Sequence, residues 1–306
     1  MHEFELIHRY FDRQAEASGV IVGIGDDGAV LAPDARLEQI QVIDTLVEGV
    51  HFPPNTDPSD VAYRAVAVNL SDIAAMGGRP RWMTLALTLP KAGEKWMQSF
   101  AAGLFEAAGE FDVALVGGDT SSGPILVVTV SISGEVGKGD ALLRSGAEPG
   151  DAIYVSGTPG DAAAGLHLLQ HDRSDDVLVR RFLRPTPRVQ LGAELVGKAT
   201  AAIDISDGLA GDLGKLLAAS GVGGDIQIER LPISKALAAA GSNEQQYQWA
   251  LCGGDDYELC FTGKEEAMKD IPGITRIGRV TRSGSLNCTL DGDIVEIGNS
   301  GYRHFQ

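Results

Sequence analysis

The chain has 306 residues, a hydrophobic content of 44% and a formal net charge of -17. That length accommodates two domains of ordinary size, each with its own core. The charge excludes a nucleic-acid or anionic-membrane partner, both of which need an electropositive face, and it suits a protein that gathers cations.

Residues 1–13 carry Glu3, Glu5 and Asp12 and lack the apolar run of a signal peptide, so a cytoplasmic protein is expected. The longest apolar stretch, around 124–132, contains Thr129 and Ser131 and is too short to span a bilayer. Cys252, Cys260 and Cys288 have no metal-ligand spacing, and their odd number gives no disulfide framework. They read as core or half-buried thiols.

Phe4, Ile7, Tyr10 and Phe11 space an amphipathic helix over 4–17, and strands follow near 20–24, 28–32 and 39–46. Asp57-Pro58 then opens a helix that runs to Ala75, before Met76-Gly77-Gly78, and places Asn69 and Asp72 on one face. Residues 82–89 alternate as a strand, 93–109 form a helix, and 113–116 and 125–136 form strands. The segment 138–149, punctuated by Gly139, Gly146 and Pro149, separates an amino-terminal domain over 1–137 from a second over 150–306. The second domain reads as a strand at 152–156, a helix from about 160, the rigid Arg184-Pro185-Thr186-Pro187 corner and a helix to Lys198. Further strands fall near 201–205, 225–228, 257–262, 274–280 and 286–290. The fold class is α/β of the α+β kind, in two domains.

Aspartates close many of these runs, in the glycine-rich corners Gly25-Asp26-Asp27, Gly117-Gly118-Asp119, Ser206-Asp207-Gly208 and Gly253-Gly254-Asp255-Asp256, with Asp44 and Asp72 beside them. Turn chemistry explains any one of them. Together they carry charge that a plain turn does not need. Converging carboxylates repel by roughly 4 kcal/mol per close pair at an effective dielectric of 20, so a cation should hold them, and hard oxygen ligands beside phosphates suit magnesium.

Two nucleotide fingerprints are false. Gly23-Ile24-Gly25-Asp26-Asp27-Gly28 matches GxGxxG, but two carboxylates occupy the approach to the phosphates and Ala29–Pro33 continues as a strand instead of opening a helix. Gly192 to Lys198 matches GxxxxGK, but Ala199 stands where a P-loop needs serine or threonine, and the interior is made of helix formers. By themselves, His51, Arg144, Glu258 and Tyr302 read as a turn residue, a linker charge, a water-facing strand residue and a tail aromatic.

The strings GIGDDGAVL, DTLVEGVHF, NLSDIAAMGGRP, LVGGDT, DISDGLAGDL, GGDDYELCF and GYRHF, in this order along the chain, resemble the thiamine-monophosphate kinases. That family lies within the superfamily of aminoimidazole ribonucleotide synthetase and selenophosphate synthetase. The resemblance implies ATP-dependent phosphorylation of thiamine monophosphate to thiamine diphosphate. It also implies a two-domain synthetase-like fold whose amino-terminal domains pair into a homodimer through a shared β-barrel. Carried over by position, Asp27, Asp44, Asp72, Asp119, Asp207 and Asp212 would hold several magnesium ions. Gly118, Asp119 and Arg144 would meet ATP, and His51, Glu258 and Tyr302 would meet thiamine monophosphate. No protein group is assigned as a general base. The family usually has Ser-Thr before the aspartate that is Asp44, and this chain has Val42-Ile43, which removes a hydroxyl ligand and should alter metal affinity or stoichiometry. Selenophosphate synthesis loses ground because no cysteine precedes Cys252, hydrogenase maturation because the chain ends His304-Phe305-Gln306. A non-enzymatic cation-binding protein is the reading from a different class.

Overall fold

The structure is a computed structural model and describes residues 3–12, 18–171 and 176–297. The chain forms two compact units, Met1–Ile73 with Gly78–Gly139, and Ala74–Gly77 with Asp140–Gln306.

The first unit contains α1 (Glu3–Tyr10), β1 (Val20–Val22), β2 (Val30–Leu31), β3 (Leu37–Val47), α2 (Pro58–Ala75), β4 (Arg79–Leu89), α3 (Glu94–Glu110), β5 (Ala114–Ser122) and β6 (Val127–Gly137). Its four-stranded sheet has the order β3-β6-β4-β5, with β4 and β5 parallel and the other pairs antiparallel. Alternation along β6 buries Val128, Val130 and Ile132 and leaves Thr129, Ser131 and Ser133 on the other face, as a sheet covered on one side requires. Helices α2 and α3 approach closely because α3 has glycine at 103, where a Cβ would stand 2.0 Å from the Ser59 carbonyl oxygen. Phe100, fully buried on α3, stacks on Trp96 and meets Phe11 edge-on, burial worth about 1.5–3 kcal/mol for one such side chain.

The small antiparallel β1–β2 sheet docks on this unit through Trp82. Val20, Ala29 and Leu31 pack on the buried cluster of Trp82, Ala114 and Val116, and the indole N–H donates to the Ser18 carbonyl at 3.3 Å. This contact hangs the Gly23–Gly28 loop beside β5.

The second unit contains β7 (Ala152–Ser156), α4 (Asp161–Gln170), α5 (Asp176–Leu183), α6 (Val189–Leu195), β8 (Ala199–Asp204), α7 (Leu209–Ser220), β9 (Gly223–Gln227), α8 (Lys235–Ala240), α9 (Asn243–Cys252), β10 (Leu259–Gly263), α10 (Glu265–Met268), β11 (Ile274–Thr281), β12 (Leu286–Leu290) and β13 (Asp293–Ile294). Its sheet runs β13-β12-β9-β11-β7-β10-β8, with only β9–β12 parallel. Two apolar clusters form around it. One gathers Leu213, Leu216 and Leu217 of α7 with Ile153, Ile203 and Ile226, and the other gathers Leu195, Tyr154 and Phe261. Cys260 and Cys288 are buried and Cys252 is half-buried, all as free thiols.

The expected 113–116 strand continues through Gly117-Gly118-Asp119 to Ser122, so those glycines lie within a strand and not in a turn after it. The helix expected up to Lys198 stops at Leu195, and Gly197 takes φ +72. Helices α5, α7 and α9 fill stretches that the sequence reading left without elements. No helix among the described residues is long and apolar enough to cross a membrane.

Asp151, fully buried at the start of β7, anchors the entry to this unit. Its carboxylate accepts from the Glu148 N–H at 2.9 Å and the Thr200 hydroxyl at 2.8 Å, and lies 2.6 Å from the Lys264 ammonium. Burial alone would raise its pKa, but these partners outweigh burial and hold it below the ordinary value. Its stabilising contribution is therefore present above the ordinary carboxylate range and fades as pH falls through its lowered pKa. Asp151→Asn should cost about 1 kcal/mol at pH 7, and the gap from wild type should shrink at pH 3. Urea unfolding at both pH values tests this; an equal gap at both refutes it.

Candidate active site

The first unit holds a cavity of about 370 Å³ between the Gly23–Ala29 loop and the middle of β5, lined by Asp26, Asp27, Gly118 and Asp119, with Leu85, Leu115 and Phe11 among its apolar walls. Backbone geometry builds it. At Gly118, φ is +156 and a Cβ would stand 1.9 Å from the Leu85 carbonyl oxygen, so only glycine lets β5 lie this close to β4. Gly25, at φ +123, turns the loop, and the Asp26 carboxylate accepts the Asp27 N–H at 2.8 Å. Asp26, Asp27 and Asp119 are all exposed. Among the described residues neither Asp27 nor Asp119 has a lysine or arginine partner.

The other residues expected in this unit stand outside the cavity lining. Asp44 is half-buried on β3 opposite Val130, sharing its face with Val42 and Leu46. Asp72 is half-buried on α2, one turn beyond Asn69. Asn69 is fully buried; its amide donates to the Ala65 carbonyl at 3.0 Å, while its carbonyl oxygen has no partner. The His51 Nδ1 accepts the Val47 N–H at 3.0 Å, which places the ring proton of the neutral imidazole on Nε2.

In the second unit Arg144 is exposed, and its carbonyl accepts from the Ser220 hydroxyl. Asp212, in the first turn of α7, turns back on the preceding corner: one oxygen accepts the Ser206 and Asp207 N–H groups, each at 2.9 Å. The Lys215 ammonium bridges Asp212 at 2.8 Å and Asp207 at 2.6 Å. Burial raises the Asp212 pKa against the opposing pull of Lys215, while the two carboxylates raise that of Lys215 despite its own desolvation.

The Gly253–Glu258 corner follows a different logic. Asp256 is fully buried and accepts the N–H groups of Gly160 and Ala162, so it caps the amino terminus of α4; burial pushes its pKa well up. Glu258, which on alternation alone would face water, is instead 0% exposed. It accepts from the Ser156 hydroxyl, Arg181 and Arg188. Tyr302 lies outside the described residues. Among those residues, no group of three or more His, Cys, Asp or Glu side chains is gathered as a metal site.

The structure thus joins Asp27, Gly118 and Asp119 in one cavity, while Asp44 and Asp72 stand apart from its lining and Arg144, Asp207, Asp212 and Glu258 belong to the second unit. Sequence reasoning missed Ser156, Arg181, Arg188 and Lys215. A polar residue at a strand end, in an unassigned helix or after a proline corner carries no local signal of a distant partner.

Residues 25–136 match the N-terminal domain of the AIR synthase related proteins and residues 148–291 match their C-terminal domain, which defines the class. Within it, the chain is 49% identical to a thiamine-monophosphate kinase of Escherichia coli (strain K12) across 99% of this chain and 98% of that protein. It is 38% identical to one from Bacillus subtilis (strain 168) over the full length of both. The crystal structure of a thiamine-monophosphate kinase from Stenotrophomonas maltophilia K279a superposes with a TM-score of 0.88 at 43% identity, over 96% of this chain and 98% of that one. A structure of AaThiL complexed with AMPPCP and TMP superposes at 0.82 with 34% identity, over 99% and 96%. The chain belongs to the thiamine-monophosphate kinase family.

Gly118→Ala should destabilise the first unit by at least about 2 kcal/mol and distort the cavity beside Asp119. Thermal unfolding and binding of an ATP analogue measure both, and a variant with wild-type melting and nucleotide affinity contradicts the steric account.

Proposed function

We propose that this protein transfers the γ-phosphoryl group of ATP to thiamine monophosphate, giving thiamine diphosphate and ADP, and that it does so as a homodimer. Family membership along the whole chain carries the reading. The neighbour solved with AMPPCP and TMP supports the same pair of ligands.

The chemistry asks little covalent work of the protein. A phosphate monoester has a second pKa of about 6, so at neutral pH the acceptor is mostly a dianion and already a nucleophile. No general base is needed, and the transfer is direct and in line, without a phosphoenzyme. The protein must bring two anions together and exclude water. Gly118 offers close backbone approach, and Asp27 and Asp119 offer hard oxygen donors without a lysine or arginine partner among the described residues, the chemistry that fits magnesium carrying phosphates. Asp44, Asp72 and Asp207 complete the proposed ligand set, with Asp212 a lesser member because, beyond the Lys215 ammonium it shares with Asp207, it already accepts two backbone N–H groups. When bound, magnesium would screen the repulsion between the anions and neutralise charge developing in transfer. Arg144 would assist at ATP, and His51, Glu258 and Tyr302 would serve thiamine monophosphate. The homodimer reading draws support from the outer face of the four-stranded sheet. There Ile43 is 65% exposed in a row with Gln41 and Thr45, a face suited to a second copy.

A coupled assay offering thiamine monophosphate, thiamine and aminoimidazole-type precursors in parallel should show ADP release with thiamine monophosphate only; absence of ATP consumption would leave a cation-binding protein. Asp119→Asn and Asp72→Asn should each lower turnover by about 100-fold or more with the fold intact. Near-normal turnover in both refutes the ligand set.

The Val42-Ile43 departure sharpens with the strand geometry. Val42 is 9% exposed and shares the Asp44 face, whereas Ile43 points the other way. Val42→Ser should therefore shift the magnesium concentration for half-maximal activity, and Ile43→Thr alone should not. Curves that coincide for wild type and Val42→Ser sink this account.

A further inference from the structure

Glu258 stands at a junction of the second unit, just before β10, where its carbonyl accepts the Ile205 N–H at 2.8 Å. Its side chain is saturated. Oε1 accepts from Arg181 Nη2 at 2.8 Å and Arg188 Nη2 at 2.5 Å, and Oε2 from Ser156 Oγ at 2.5 Å and Arg188 Nε at 2.6 Å. Four bonds fill the lone-pair sites of a carboxylate, and the Arg188 pair is a bidentate fork. The packing is tight enough to dictate a neighbour: a Cβ at Gly157 would stand 2.1 Å from Oε1.

The backbone leading into Glu258 is strained. Asp255 and Tyr257, neither a glycine, adopt φ +69 and φ +51. Such conformations persist only when the surroundings over-determine them, and they collect at functional sites. Three ties hold this one: the Asp255 N–H donates to the Ser206 carbonyl, the Tyr257 N–H to the Ile205 carbonyl, and Arg181 Nη2 to the Asp256 carbonyl at 3.2 Å. Arg181 comes from α5 and Arg188 from the residue after the Pro185-Thr186-Pro187 corner, so both guanidinium groups are delivered by rigid elements. Their side chains are 16% and 31% exposed, against 0% for Glu258.

We propose that Arg181 and Arg188 are positioning residues for the phosphoryl acceptor: their fork fixes Glu258 and, through it, the strained Asp255–Tyr257 corner on which acceptor binding depends. This rests on the reading of Glu258 as an acceptor-side residue. The arginines act through the set of that carboxylate, so their loss weakens acceptor binding and leaves the nucleotide alone. Breaking one partner of a buried pair also destabilises, because the other charge is left uncompensated. The test must separate the two effects.

Arg188→Met should raise KM for thiamine monophosphate about 10-fold or more, with KM for ATP within about twofold and a lowered melting temperature. Arg188→Lys, which restores charge without the fork, should recover only part of the acceptor KM. The triple variant Arg181→Met/Arg188→Met/Glu258→Gln removes every charge of the cluster together, so none is left uncompensated, and should regain melting temperature while its acceptor KM stays high. Two results overturn the proposal: an unchanged acceptor KM in Arg188→Met, or an acceptor KM that recovers with melting temperature in the triple variant. Wild type assayed in parallel keeps the two ideas distinct, since its failure to phosphorylate thiamine monophosphate would reject the activity, whereas a variant-specific outcome judges the arginines.

Discussion

A carboxylate removed from water must receive a cation or a row of amide N–H groups, whereas an exposed one keeps its water, and acidic residues of the chain fall on both sides of that line. In the second unit the protein supplies the counter-charge itself. Asp151 has Lys264, Asp212 has two amides and Lys215, Asp256 has the amino terminus of α4, and Glu258 has two arginines. In the first unit Asp27 and Asp119 are exposed, open into a cavity and, among the described residues, have no lysine or arginine partner. The internal pairs organise backbone. The open pair has charge left for something that arrives from outside.

The same division explains how rigidity and chemistry are distributed. The internally paired acids sit where chain direction changes: at the entry to β7, at the corner before α7, and at the corner before β10. Each holds a bend that hydrophobic packing alone would leave under-determined. The open acids depend instead on glycine, because Gly118 lets β5 lie against β4 and Gly25 turns the loop that faces it. Trp82 carries this arrangement into the core by fixing the β1–β2 sheet from which the loop hangs.

Much of the fold was legible because period and punctuation agree. Pro58–Ala75 is bounded by Asp57-Pro58 and Gly77-Gly78, and β6 alternates cleanly between faces. Both GxGxxG and GxxxxGK were rejected on local chemistry, and the second segment indeed forms α6 followed by a left-handed Gly197. What failed was long-range. The sequence placed Gly117-Gly118-Asp119 in a turn, since glycine pairs usually break strands, but a close neighbouring strand kept them extended. Glu258 looked like an outward strand residue because its arginine partners lie 77 and 70 residues away in the chain. The rule that ligands gather at the carboxyl ends of parallel strands has little reach here, because only the β4–β5 and β9–β12 pairs are parallel.

Under the proposed function, open carboxylates of the first unit bind nucleotide through a divalent cation. Calorimetry with a non-hydrolysable ATP analogue tests it most directly, in magnesium and in chelator, for wild type and for Asp27→Asn/Asp119→Asn. The account predicts magnesium-dependent binding in wild type and at least about a tenfold loss in the double variant. Equal affinity in chelator, or a double variant that binds like wild type, would contradict it.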